Sequence, residues 1–129
     1  MDDDIFGEVI FSYSRQQAIE DGVLIDVSNL AKEAGFKYPV AVTARVWHWI
    51  EPPADAVGQD ATGRLWDLLH VLRMEIKKGT IRKDHPIDRV DFKVIFDQGA
   101  EKPLVDFYAL CGPGDNAEPV ITIMMPDED

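Results

Sequence analysis

The clearest pattern of apolar and polar residues lies in RLWDLLHVLRMEIKKG, residues 64–79. Its apolar side chains recur at helical spacing: Leu65, Leu68, Leu69, Leu72 and Ile76. A glycine follows two lysines that suit the negative end of a helix dipole. The pattern therefore predicts an amphipathic helix over about 61–78, with its leucine face directed into the core.

From Asp88 onward the pattern changes from helical spacing to alternation. Apolar residues alternate with charged ones, with Ile95 as the exception, which predicts a strand over about 89–97. Two further apolar runs predict strands at about 104–111 and 119–125, and GPGDN between them predicts a hairpin turn in preference to a phosphate-binding nest. Together the three runs predict a three-stranded antiparallel meander.

The first third of the chain carries start and stop signals for two short helices. A capping-box serine, Ser14, and a left-handed stop at Gly22 predict a helix over about 14–21. Ser28 offers a second N-cap, and a later glycine ends a second helix over about 28–34. The apolar residues between the two helices predict a buried extended link. Alternating apolar residues before Ser14 permit a short N-terminal strand.

The segment VAVTARVWHWI, residues 40–50, fits two structures. On a helix, Val40, Val46 and Ile50 share one face, whereas on a strand the valines suit a pleated surface. We favour a helix because the segment is long for a strand. The complete prediction is an α+β fold in which N-terminal helices pack on the C-terminal three-stranded meander.

The length and composition of the chain restrict its domain number and its cellular compartment. The 129 residues are enough for a single domain, 1–129, and too few for two independent cores. No apolar run approaches the length of a membrane span, so no membrane partner is expected. The N-terminal MDDDIF is acidic where a signal peptide would be basic. The single cysteine, Cys111, fits a reducing compartment, so we expect a cytoplasmic protein.

The formal net charge of −11 is concentrated at the two ends of the chain. Residues 1–12 hold four acids and no base, and residues 113–129 hold five acids and no base, which permits mobile acidic ends at 1–5 and 126–129. The one basic cluster begins at Lys77, where a helix is expected to end, so stabilisation of that helix end explains it better than a ligand does. Direct binding of nucleic acid is therefore not expected.

Three stretches carry a resemblance to a known family. SYSRQQAIEDGVLIDVS, AKEAGFKYPVAVTARVW and CGPGDNAEPVITIMMPDED resemble small acidic proteins of unknown function that are carried on bacterial plasmids, phages and integrative elements. The similarity covers almost the whole chain. It implies an accessory role in a bacterial or phage-infected cell, and it carries no catalytic residue onto this sequence.

Signals for catalysis are weak. Cys111 could act as a nucleophile if the fold brought it a base, for which His70, His48 and His85 are the candidates. A small buried cysteine at a strand end is the commoner case. These four side chains lack the spacing of known zinc motifs, so neither a metal site nor a cofactor is expected.

Aromatic and basic side chains on the predicted helices are better candidates for binding. Trp49 lies beside a histidine and a second tryptophan, a cluster that can form the centre of a protein contact if it is exposed. Trp66, His70 and Arg73 form a stripe on the helix over 61–78 that could face an anionic ligand. Amphipathic side chains that border the core give the same pattern.

These observations favour a non-enzymatic accessory protein of a mobile genetic element that binds a protein partner, or a second copy of itself through the sheet. A second hypothesis is an acidic DNA mimic that inhibits a restriction or other defence enzyme, which predicts acids that line one folded face. A third is a small hydrolase or transferase, which requires Cys111 in a pocket within hydrogen-bond reach of a histidine.

Overall fold

A computed structural model of the chain describes residues 14–52, 60–78, 88–97 and 101–128. Within these ranges, four helices and five strands form an α+β fold, which confirms the predicted class. The helices are α1 (Arg15–Glu20), α2 (Ser28–Glu33), α3 (Ala44–Ile50) and α4 (Ala61–Lys77). The strands are β1 (Leu24–Asp26), β2 (Val40–Thr43), β3 (Asp88–Ile95), β4 (Leu104–Pro113) and β5 (Pro119–Met124).

The five strands form one mixed sheet in the order β1-β2-β5-β4-β3. β2 and β5 run parallel, and the other neighbouring pairs are antiparallel. The prediction of a three-stranded antiparallel meander is therefore wrong, because β3, β4 and β5 are only part of a larger mixed sheet. The parallel pairing places Val40 beside Ile121 and Val42 beside Ile123, far apart along the chain.

The prediction of a helix over 40–50 is wrong for its first four residues, which form β2. All four side chains of β2 are buried, because the strand lies inside the sheet between β1 and β5. A strand buried on both faces shows no alternation, so its valines can be mistaken for one face of a helix. Thr43 ends the strand and caps α3, since its Oγ1 accepts a hydrogen bond from the Val46 amide at 3.2 Å.

The first two helices end as their glycines predict. Gly22 and Gly35 have φ values of +79° and +104°. After each glycine, the next amide closes the wide hydrogen bond of a Schellman motif, Val23 to the Ala18 carbonyl and Phe36 to the Ala31 carbonyl, both at 2.9 Å. The link between the helices is the strand β1, which pairs with β2.

Capping at the helix starts follows the prediction for α1 only. Ser14 Oγ accepts the Gln17 amide at 3.0 Å and caps α1. Ser28 is the first residue of α2 and does not cap it: Val27 is at the N-cap position, and the Ser28 amide and hydroxyl both donate to Asp26 Oδ1, at 3.0 and 2.5 Å. Its hydroxyl oxygen also accepts the Val40 amide at 3.0 Å, which ties the start of α2 to β2.

The core lies between the sheet and α4. The four leucines of α4, predicted to face inward, are buried, and the helix packs on β3. Phe92 and Phe107 are partners across β3 and β4, and their rings stack with centroids 5.7 Å apart. These contacts hold the alternating apolar face of β3 beneath the helix.

The opposite face of the sheet is covered in its middle by the C-terminal segment. Glu128 Oε1 accepts hydrogen bonds from Thr43 Oγ1 and from the Met125 amide, both at 2.8 Å. The Tyr108 hydroxyl donates to the Glu128 carbonyl. The described residues do not include residues 1–5, residue 129 or the N-terminal strand that the sequence permits.

Candidate functional site

The two most exposed large apolar side chains in the described part of the chain are neighbours at one end of the sheet. Ile95 of β3 and Leu104 of β4 are cross-strand partners, 63% and 58% exposed. Trp66 of α4 is 39% exposed and lines one groove together with Ile95. We call Trp66, Ile95 and Leu104 the apolar patch.

The groove beside the apolar patch is acidic. Its volume is about 690 Å³, and Asp60, Asp67 and Asp97 lie along it. Asp60 Oδ1 accepts the Gly63 amide at 2.7 Å and so caps α4. We call this concavity the acidic groove.

Arg64 also lines the acidic groove, and its guanidinium donates hydrogen bonds to backbone carbonyls. Nε and Nη2 donate to the Trp49 carbonyl at 3.1 and 2.8 Å, and Nη1 donates to the Asp97 carbonyl at 2.8 Å. The guanidinium lies 4.8 Å from the centre of the Phe96 ring. Burial lowers the pKa of Arg64, and the charges of Asp97 and Asp67 oppose that shift. Arg64 keeps its positive charge, because the carbonyls are neutral, and Asp97 also pairs with Lys102 at 3.7 Å. Among the described lining residues, the three carboxylates outnumber the one arginine.

The binding residues predicted from the sequence fall in different places. Trp49 is partly buried and stacks on Phe96, with ring centroids 5.8 Å apart and an interplanar angle of 26°. His70 is exposed on α4. Trp66 and Arg73, although on the same helix, line two different concavities, the acidic groove and a cavity that contains Cys111.

The second concavity, which we call the cysteine cavity, has a volume of about 300 Å³. Its walls are mainly apolar side chains from the sheet, the α2–β2 connection and α4: Phe36, Ile76, Val90, Ala109, Cys111 and Ile121. Its described lining also includes three charged residues, Lys37, Arg73 and Asp88, together with Gly35 and Tyr38. No histidine is present among the described residues that line it.

The environment of Cys111 disfavours a thiolate. Burial raises the pKa of the thiol, and the negative charge of its cross-strand partner Asp88 raises it further. His48 and His70 are exposed on helices and do not line the cavity. His85 lies outside the described residues.

The carboxylates near the C-terminus take part in contacts within the protein. Asp115 accepts the Arg15 and Gln16 amides at 2.8 and 3.0 Å, and these bonds lower its pKa. Asp127 forms an ion pair with Arg45 at 2.9 Å, with both side chains mostly exposed. Asp115 therefore links the start of α1 to the turn between β4 and β5, whereas the exposed pair of Asp127 with Arg45 is a surface contact.

Only one of the three residues of the apolar patch was predicted from the sequence as a binding residue. Trp66 is among the predicted binding residues, whereas Ile95 and Leu104 are not. Ile95 breaks the alternation of β3, and this irregularity is the signal that could have identified it. Leu104 has no such signal, because its exposure follows from its register opposite Ile95.

The fold and its surfaces define a class: a small α+β protein with a five-stranded mixed sheet, an acidic groove and a separate apolar cavity. Among the described residues, no three histidine, cysteine or acidic side chains are grouped closely enough to hold a metal ion. None of the described helices has the length and apolar character needed to cross a membrane.

The chain belongs to a family of unknown function, DUF6573, whose model matches residues 4–129. The family match agrees with the unknown-function part of the sequence resemblance. No curated protein and no solved structure matches the chain.

Proposed function

We propose that this protein is a non-catalytic accessory protein that binds another protein through the apolar patch and the acidic groove. The observation that carries the proposal is the pair Ile95 and Leu104, adjacent in register and each more than half exposed. An apolar surface within polar surroundings is typical of a protein contact site, and tryptophan is favoured at the centre of such sites.

The remainder of the same sheet face supports this location for the contact. Lys93 pairs with Asp106 at 2.6 Å, and Arg89 pairs with Asp91 at 2.9 Å. Charged side chains on an edge strand disfavour its pairing with a strand of another molecule. The exposed apolar side chains of β3 and β4 are thus confined to the end that meets the acidic groove.

The charge of the groove indicates the chemistry of the partner. Three carboxylates lie along it, while its arginine donates to backbone carbonyls. A partner segment with lysine or arginine beside an apolar anchor is complementary to both parts of the surface. Carboxylates at the rim of a contact mainly raise the association rate and set specificity.

Two alternatives from the sequence receive less support. A DNA mimic needs free carboxylates in an array, whereas Asp115 and Asp127 are engaged by backbone amides and by Arg45. Catalysis by Cys111 needs a thiolate, which the raised pKa opposes. The setting in a mobile genetic element rests on the sequence resemblance and remains part of the proposal.

Affinity capture from a bacterial host with matched variants tests the proposal. The double variant Ile95→Thr/Leu104→Thr keeps strand-compatible side chains and removes most of the exposed apolar surface. Met74→Gln is the control, because Met74 is 45% exposed on α4 and does not line the groove. A true partner is captured by the wild type and by the control, and its affinity for the double variant falls about tenfold or more.

Direct titration of that partner then examines the charge contribution. Asp67→Asn should slow association at low salt and leave the rate unchanged at high salt, because rim charges are screened. Equal binding of the partner to the wild type and to the double variant would exclude the apolar patch as the contact site.

A further inference from the structure

The cysteine cavity has the size and lining of a small-molecule site. Its volume of about 300 Å³ lies at the lower end of the range for ligand cavities. That volume corresponds to roughly ten water molecules at liquid density. Apolar side chains from three neighbouring strands form one wall, and Phe36 and Ile76 close it from above. An apolar body of modest size therefore fits the interior.

The charges at the cavity are the second observation. Arg73 and Lys37 both line it, and neither forms a hydrogen bond or an ion pair with any part of the chain that the structure describes. Asp88 is the single acid among the described residues of the lining. The cavity is thus locally cationic in a protein whose formal net charge is −11, so these two cations are available to an anionic ligand.

The position of Arg73 depends on a glycine. The guanidinium lies against Gly35, where an added Cβ would be 2.7 Å from both Cζ and Nε of Arg73. A larger residue at position 35 would require the guanidinium to shift. A planar guanidinium can donate two parallel hydrogen bonds to a carboxylate.

From these observations we propose that the cysteine cavity binds a small organic carboxylate with an apolar body, whose charged end is held by Arg73. Lys37 adds attraction at longer range, and the apolar body lies against Ile76 and Ile121. The site shares no described lining residue with the acidic groove, so it is independent of the proposed protein contact. Cys111 acts as a wall of the cavity, because its thiol stays protonated at neutral pH.

Nuclear magnetic resonance of the full chain with labelled isoleucine methyl groups tests the site, with phenylacetate as the probe and neutral phenylacetamide as its matched analogue. Phenylacetate should shift the methyl signals of Ile76 and Ile121 in a saturable way. The amide should bind about tenfold or more weakly, since it lacks the charge that Arg73 recognises.

Arg73→Gln should lose most of the preference for the carboxylate over the amide and keep only the smaller part that Lys37 contributes. Arg45→Gln should keep the wild-type preference, because Arg45 lies on α3 and pairs with Asp127 away from the cavity. Lys37→Gln, at an exposed position, should reduce the preference by a smaller factor and provides a second variant if Arg73→Gln does not fold.

Three results would overturn the proposal. The first is the absence of saturable shifts in the wild type up to about 10 mM probe, a limit that corresponds to very weak binding. The second is equal affinity of the wild type for the acid and the amide. The third is a preference that survives at its wild-type size in both Arg73→Gln and Lys37→Gln.

Discussion

Replacement of Arg64 should destabilise the fold far more than replacement of an exposed arginine. Arg64 is 5% exposed and joins three elements: it lies on α4, it donates to the Trp49 carbonyl of α3, and it donates to the Asp97 carbonyl beyond β3. Arg64→Met keeps the length and the apolar stem of the side chain. The variant therefore removes mainly the hydrogen bonds and the contact with the Phe96 ring.

The expected loss follows from the hydrogen bonds. A charged donor contributes about 1.5–3 kcal/mol per effective hydrogen bond, and the loss of several bonds at one residue is less than additive. Two carbonyls also lose their partner. We expect a loss of about 3 kcal/mol in the free energy of unfolding, a large part of the roughly 5–15 kcal/mol typical of such a chain. Arg64→Lys should lose about half as much, because one ammonium group cannot reach both carbonyls in the same geometry.

Urea denaturation followed by circular dichroism measures the effect. With a slope of about 2 kcal/mol per molar urea, the midpoint of Arg64→Met should fall by about 1.5 M. Arg45→Gln is the control and should leave the midpoint unchanged, since Arg45 and its partner Asp127 are both mostly exposed. A shift of less than about 0.3 M for Arg64→Met, with an unchanged slope, would refute the assigned role of Arg64.

Four further outcomes are expected. Gly35→Ala and Gly22→Ala should lower the free energy of unfolding by similar amounts, about 1–2 kcal/mol, because both positions have positive φ and the Arg73 guanidinium beside Gly35 is the end of a flexible side chain that can shift; a clearly larger loss for Gly35→Ala in urea denaturation would show that the guanidinium is fixed. The pKa of Asp115 is lowered from its usual 3.8 by two backbone amides, so its contribution to stability is present above about pH 4 and is lost as the pH falls through the lower folded-state value. The difference in thermal midpoint between the wild type and Asp115→Asn should accordingly narrow below about pH 4, and a constant difference would exclude this role. Cys111 should react with a thiol-specific disulfide reagent more slowly than free cysteine at neutral pH and at the free rate in urea, because its pKa is raised; a faster reaction in the folded protein would indicate an activated thiol. The double variant Ile95→Thr/Leu104→Thr should keep the thermal midpoint of the wild type, since both side chains are mostly exposed, and a clear drop would reassign them to packing.

The candidate sites could be predicted only in part. The sequence places Trp66 and Arg73 on one helical stripe and marks Cys111 as a single thiol elsewhere in the chain. It does not reveal that Arg73 and Cys111 line one cavity while Trp66 lies beside Ile95 at another. Residues from α4, β3 and β4 meet there only because the strands pair in one particular register.

The sequence by itself determined the elements that local interactions specify. Ser14 and Gly22 delimit α1, the leucine spacing defines α4, and alternation defines β3. Each of these signals acts between residues that are close along the chain, through helix capping, a left-handed turn or one buried face.

Only the tertiary structure decided that β2 is a strand and that it lies parallel to β5. Val40 and Val42 suit either a helix or a strand, and their choice depends on Ile121 and Ile123, about 80 residues later in the chain. Once β2 is enclosed between β1 and β5, both of its faces are buried and its sequence loses the alternation that marks a half-exposed strand. Long-range pairing of this kind leaves no local pattern, because the energy that selects it arises only when the distant strands meet.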